Sequence, residues 1–299
     1  MAPISDNTRG ALLMMASMAA FTLNDTFMKA LSDELPLFQA LVLRGLATSL
    51  LLLAIAPRLG GLKLDLPRRD WGIVAVRTVA EVGAAYFFIT ALFNMPIANA
   101  TAILQVLPLT VTLAGALFLG EAVGWRRLTA ILVGFAGVML IVRPGAEGFT
   151  FYSVYVLIAV AFVTVRDLVT RRLSGGVPSV TVAFSAAVGV TAAAAVASLG
   201  VDWVPLSAAA AAKLAGASVL IIGGYMFSVM AMRVGEVAVV TPFRYTSLLW
   251  ALVLGFVVFG DWPGPLTLLG GAIVVAMGIY TFYRERAVSR QGPVPLRIR

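Results

Sequence analysis

Long apolar runs alternate along this chain with short polar interruptions. Ten windows, at about 9–31, 36–57, 71–93, 97–118, 126–143, 150–172, 178–200, 212–232, 237–259 and 264–284, are almost free of charge. Each is close to the twenty or so residues that a helix needs to cross a bilayer core of roughly 30 Å. The interruptions carry turn chemistry: Pro57 with Gly60-Gly61, Asn94-Met95-Pro96, Arg143-Pro144-Gly145, Gly175-Gly176, and Asp261-Trp262-Pro263-Gly264. The pattern predicts an all-α polytopic membrane protein with ten transmembrane helices. They divide as five plus five near residue 148, giving units over 1–148 and 149–284 and a basic tail over 285–299.

The two units resemble each other. Ala91–Glu121 lies over Ala231–Asp261 without a gap, 140 positions apart, with identities at Ala91/Ala231, Ala98/Ala238, Thr101/Thr241, Leu109/Leu249, Gly115/Gly255 and Gly120/Gly260. Thr22–Pro36 lies over Thr164–Pro178 at a spacing of 142 and shares Thr, Asp, Leu, Ser and Pro. A five-helix repeat inserts upside down relative to its copy, and inverted repeats are a common ground plan of secondary transporters.

Charge fixes the expected orientation. Fifteen Lys and Arg residues fall on one side of the predicted helices, from Arg9 through the 58–69, 126–127 and 171–172 loops and Arg233 to the tail; three, Lys29, Arg143 and Lys213, fall on the other. By the positive-inside tendency both termini are cytoplasmic, with the chain in a bacterial inner membrane. The net charge of +8 thus describes a basic rim at headgroup level and no nucleic-acid surface. With 61% hydrophobic residues and a mean hydropathy of +0.98, a soluble domain is excluded. The chain has neither His nor Cys, which removes thiolate and imidazole metal sites, disulfides and Ser-His-Asp relays. No enzyme, cofactor or metal is expected.

Two motifs carry a family resemblance. Phe21, Asn24, Lys29, Pro36 and Arg44 fit one pattern: an aromatic and a polar residue late in helix 1, Lys at its end, Pro opening helix 2 and Arg inside it. Pro108, Gly120-Glu121 and Gly134/Gly137 fit a second, repeated as Gly260-Asp261 and Gly271/Gly278. Together they resemble the EamA-type transporters of the drug/metabolite transporter superfamily, and most of all its exporters of aromatic and other amino acids (YddG type). The resemblance implies a basket in which helices 1–4 and 6–9 surround a central cavity and helices 5 and 10 pack outside. Arg44 has no counterpart at Ala186, so the halves are not equivalent.

Charges at membrane depth are functional candidates because burial there is expensive. Arg44, Glu81 and Arg244 qualify. Arg77 and Glu81, four apart, can pair on one helix face, and an Arg44–Glu81 pair between helices is an alternative. Glu81 is the first candidate for a titrating group should transport be proton-coupled. Asp25 and Asp167, repeat partners, are expected as helix-end anchors. Thr101, Gln105, Pro108 and Thr112 form one stripe of helix 4, and Thr241 and Tyr245 lie on the related face of helix 9. The two helices should meet near the pseudo-twofold axis, with Gln105 opposite Tyr245. Asn24, Tyr86 and Tyr225 are further candidates for substrate contact, within a group of aromatics (Phe21, Phe88, Phe227, Trp250) that would line the cavity. Pro108, Pro242, Gly223 and Gly224 are candidate hinges, with close packing as the alternative for the glycines. The expected function is amino-acid export by alternating access, the carboxylate meeting Arg244 or Arg44. A riboflavin, nucleoside or other metabolite carrier and a lipid flippase are the alternatives; proton coupling and oligomeric state are left open.

Overall fold

The computed structural model describes residues 5–120, 124–145 and 149–290, without the side chains of 237, 238 and 285–290. Glu121, half of the first Gly-Glu motif, and residues 291–299 of the basic tail lie outside the described residues. No strand occurs among the described residues. Among the described residues ten helices are long and apolar enough to cross a membrane: α1 (Asp6–Lys29), α2 (Leu37–Leu59), α3 (Arg68–Asn94), α4 (Ile97–Leu119), α5 (Trp125–Val142), α6 (Phe151–Thr170), α7 (Ser179–Ala197), α8 (Ala208–Val234), α9 (Thr241–Phe259) and α10 (Pro265–Arg284). They coincide with the ten apolar windows.

Local chemistry explains where the helices begin and end. Ser5 and Ser207 cap α1 and α8 by accepting from the backbone N–H of Thr8 (3.2 Å) and Ala210 (3.0 Å). Pro36, Pro67, Pro96 and Pro178 stand immediately before α2, α3, α4 and α7, where their missing N–H leaves no gap. Gly120 and Gly260, the repeat-related glycines, end α4 and α9 in the left-handed conformation (φ 68° and 70°), their N–H groups returning to the carbonyls of Gly115 and Gly255. The shared Gly-Glu and Gly-Asp pattern is thus, in its glycine, a helix cap.

The packing is symmetric under exchange of the two halves. The main seams are α1 on α8 and α3 on α6, which interchange, and α2 on α7 and α5 on α10, which map onto themselves. The lesser pairs α2·α8 and α3·α7 interchange too. The outer pair α5 and α10 crosses where Gly137 and Gly270 face each other, so close that a Cβ on Gly137 would stand 2.9 Å from the Gly270 carbonyl oxygen. Large apolar side chains such as Leu50 (66%), Leu117 (69%) and Val257 (72%) are exposed on the outside, where acyl chains cover them. Trp71, Trp125, Trp203 and Trp262 are exposed at or beside helix ends, as an aromatic belt requires.

Candidate functional site

Between α2, α3, α7 and α8 lies a cavity of about 520 Å³. Arg58, Gly60, Ser179 and Arg233 stand at the end that carries the basic loops, and Arg44, Arg77, Glu81 and Tyr225 stand at bilayer depth. Between them the walls are apolar, with Leu52, Ala183, Ala187, Ile222, Met226 and Met230. Beyond Arg44 the opposite end of the bundle is filled by Met28, Leu31, Leu41, Leu92, Ile97 and Leu214, all nearly inaccessible. Polar ties reinforce that closed end. The Lys29 ammonium donates to the carbonyls of Met95 (2.8 Å) and Leu92 (3.2 Å), Gln39 exchanges two hydrogen bonds with the Val204 backbone, and Lys213 pairs with Glu34. Lys29, which the sequence offered as a family marker, therefore works as a cap on the C-terminal end of α3. The cavity is open at one end and plugged at the other.

A charged layer borders this cavity. Glu81 is held from two sides, by Arg166 of α6 at 3.2 Å and by Arg77 at 3.6 Å on its own helix. Arg166 also binds Asp167 at 2.9 Å, and Arg77 Nε donates to Thr170 Oγ1 at 3.1 Å. The expected Arg77–Glu81 pair is present; an Arg44–Glu81 pair within 4.0 Å is not found among the described residues. Arg44 is 8% exposed, and its guanidinium makes no hydrogen bond or close ion pair among the described residues, although the carboxylates of Asp25 and Glu81 act on it from further away. A buried cation without a hydrogen-bonded partner, on a cavity wall, has spare capacity to bind an anion.

The other predicted site residues fall elsewhere. Gln105 is buried in the α4–α9 seam, donating to Ser247 Oγ (2.9 Å) and weakly to the Tyr245 carbonyl (3.5 Å), so it does meet its repeat partner, but as a tie between helices. Thr101 is buried and Arg244 is exposed, and neither lines the cavity. The cavity lies among α2, α3, α7 and α8 rather than between α4 and α9, whose facing residues Gln105 and Ser247 are hydrogen-bonded to each other. Tyr245 and Pro242 border a second, apolar groove of about 620 Å³ among α4, α9 and α10 that holds no charged residue. Tyr86 stacks on Phe38 at 6.0 Å, and Asn24 donates to Asp25 at 2.9 Å. Of the predicted aromatics only Tyr225 lines the cavity, in edge-on contact with Phe21 at 5.2 Å. Phe227 and Trp250 are on the outside, at 38% and 36% exposure.

The hinge candidates also separate. α4 is broken at Gln105-Val106, just before Pro108, where bonding switches to the tighter Val106 N–H to Ile103 carbonyl pattern. α9 opens with a 3₁₀ turn around Pro242. Gly224 is a packing notch: a Cβ there would stand 2.8 Å from the Phe21 ring, and its carbonyl accepts from Ser17 Oγ at 2.6 Å. Gly223 has nothing closer than Phe227 at 4.0 Å. Arg166 and Asp167 were not singled out for the site. The one hint was that Arg166 replaces Asn24 in the repeat alignment.

Comparison with known proteins agrees with this architecture. A solved crystal structure superposes with a TM-score of 0.64 over 93% of this chain and 98% of its own, at 20% identity, which establishes a shared fold. The chain is 24% identical to the S-adenosylmethionine uptake transporter of Rickettsia bellii, over 90% of this chain and 92% of that one. It is 28% identical to the riboflavin transporter of Vibrio cholerae (77% and 78% covered) and 25% identical to the pseudopaline exporter CntI of Pseudomonas aeruginosa (89% and 93%). These are transporters rather than enzymes, and they do not single out exporters of amino acids. Residues 8–143 match the EamA-like transporter family, and the relatives extend that likeness over most of a multi-pass membrane chain.

Proposed function

We propose that this protein is a secondary transporter of small metabolites that carry a carboxylate or comparable anion beside an apolar part, amino acids being the simplest, and that it works by alternating access. The observation behind this reading is Arg44, nine-tenths buried and without a hydrogen-bonded partner among the described residues, on the wall of a cavity whose other charges at that depth, Arg77 and Glu81, are paired with each other. The cargo's anion meets Arg44, Tyr225 adds a polar contact, and Met226, Met230 and Ile222 receive the apolar part. The relatives' varied cargoes support a carrier of small metabolites without choosing among them. By the positive-inside tendency the open end faces the cytoplasm, the side from which an exporter loads. Direction itself follows the gradients.

The test is uptake into proteoliposomes of a labelled amino-acid panel, competed by riboflavin and S-adenosylmethionine. Arg44→Ala should weaken apparent affinity by about 10- to 100-fold, the value of a charge-assisted hydrogen bond of roughly 1.5–3 kcal/mol. Arg44→Lys should lose less. Uptake of no amino acid, or full affinity in Arg44→Ala, would defeat the reading.

A further inference from the structure

Three carboxylates sit in the charged layer, and only two have close cationic partners. Glu81 is held by Arg166 and Arg77, and Asp167 by Arg166. Asp25, on α1, accepts one hydrogen bond, from Asn24 Nδ2 at 2.9 Å, and makes no ion pair within 4.0 Å among the described residues. The repeat makes the contrast direct. Asn24-Asp25 and Arg166-Asp167 occupy equivalent places and have the same internal bond, but the neighbour is neutral in one half and cationic in the other.

A second observation lies beside it. The Oδ1 of Asn24 is buried and has no donor. A neutral carboxyl on Asp25 carries the O–H that this acceptor lacks. The ionised form leaves it unmet, which a buried amide tolerates poorly.

Arg44 of α2 is close enough to act electrostatically on Asp25, and Glu81 of α3 is close enough to act on Arg44. α4 contains no titratable residue. On α9, Arg244 is exposed and Tyr245 borders the outer groove. Lys213 of α8 is committed to Glu34, and Lys29, on α1 itself, to the end of α3.

We propose that Asp25 is a proton-binding site whose occupancy is linked to anion binding at Arg44. The proton site stands on geometry alone; the link rests on the reading of Arg44 as the place where the cargo's anion docks. While Asp25 is ionised it competes with an anion for the field of Arg44. Water reaching Arg44 through the cavity delivers a proton to the Asp25 carboxylate, and the arginine's charge is then left to the cargo. Anion and proton load together, each favouring the other by the same factor, so that a proton crosses with the cargo. This displaces Glu81, bound by two arginines, as the titrating group.

Dicyclohexylcarbodiimide tests the site without any cargo. It adds to a protonated buried carboxyl, taking the acid proton onto one nitrogen while the carboxylate oxygen bonds to its central carbon, and rearranges to a stable N-acylurea readable by mass spectrometry. In proteoliposomes the label should fall on Asp25 and not on Glu81, and should fade as pH rises. Arg44→Gln, which removes the stabilising cation, should move that profile up by about one pH unit or more. Asp25→Asn should abolish the label, and Glu81→Gln should leave it. Helical content and thermal stability would show that each variant is folded. Label on Glu81 instead, an Asp25 profile flat in pH, or an Arg44→Gln profile that does not move would overturn the proposal. Should no amino acid be carried while Asp25 is labelled as described, the proton site stands and only the cargo reading fails.

Discussion

Glu81 shows what a carboxylate at membrane depth is worth when both neighbours are arginines. Its side chain is 16% accessible, and the contacts at 3.2 and 3.6 Å lie against a cavity wall rather than in a dry core. Removing one member of a buried ion network costs about 3–5 kcal/mol, and access to the cavity places this case near or just below the lower end, about 2–3 kcal/mol. Glu81→Gln should therefore unfold earlier in a denaturant titration in detergent by that amount, with Arg77 left unpaired and Arg166 kept by Asp167. A variant as stable as the parent would show that Glu81 is not a structural tie. Half of this network was legible in the sequence. Arg77 and Glu81 are four apart, which puts them on one helix face. The contribution of Arg166 was not, because it depends on which helix α3 packs against, and no spacing along one helix reports that. Arg244 meets the same limit: its place along the helix could be read from the sequence, but not that it is exposed and outside the cavity lining.

At the scale of the helix, adjacent glycines on α8 separate close packing from freedom to bend. Gly224→Ala pushes a methyl to 2.8 Å from the Phe21 ring in the α1–α8 seam, and overpacking of that kind costs about 1–3 kcal/mol. Gly223→Ala meets only Phe227 at 4.0 Å and should gain about 0.5–1 kcal/mol from helix propensity. If Gly223 is a hinge, that gain will come with slower transport at unchanged affinity; an equal rate would remove it from the hinge list. The α4–α9 seam gives a second contrast. Gln105→Leu should lose about 1 kcal/mol with the Ser247 hydrogen bond while leaving cargo affinity as it was. A large rise in apparent KM would instead restore Gln105 to the cargo site. The break in α4 was foreseeable, since Pro108 cannot donate to the carbonyl four residues earlier. The role of Gln105 was not, because a polar stripe on a membrane helix fits a tie to a neighbour and a wet wall equally well.

For the whole molecule, the closed end and the open end make a prediction about access that the chain is well suited to answer. It contains no cysteine, so any single cysteine introduced is the sole thiol. Ala183 and Met230 line the cavity, whereas Leu31 and Leu41 are at 0% and 2% exposure in the opposite plug. Ala183→Cys and Met230→Cys should react with a membrane-impermeant maleimide in inside-out vesicles and not in intact cells, because the cavity opens among the basic loops, which the positive-inside tendency assigns to the cytoplasmic side. Leu31→Cys and Leu41→Cys should resist from both sides while this state prevails. A saturating gradient of a transported solute should raise their labelling from outside and lower that of the cavity positions, since cargo can shift the populations only by binding one state better than the other. The two halves pack symmetrically, which makes the exchanged state geometrically available to the same helices. Labelling of the cavity cysteines from intact cells alone would reverse the orientation. Labelling of all four from both sides would mean a channel, and the alternating-access reading would fall with it.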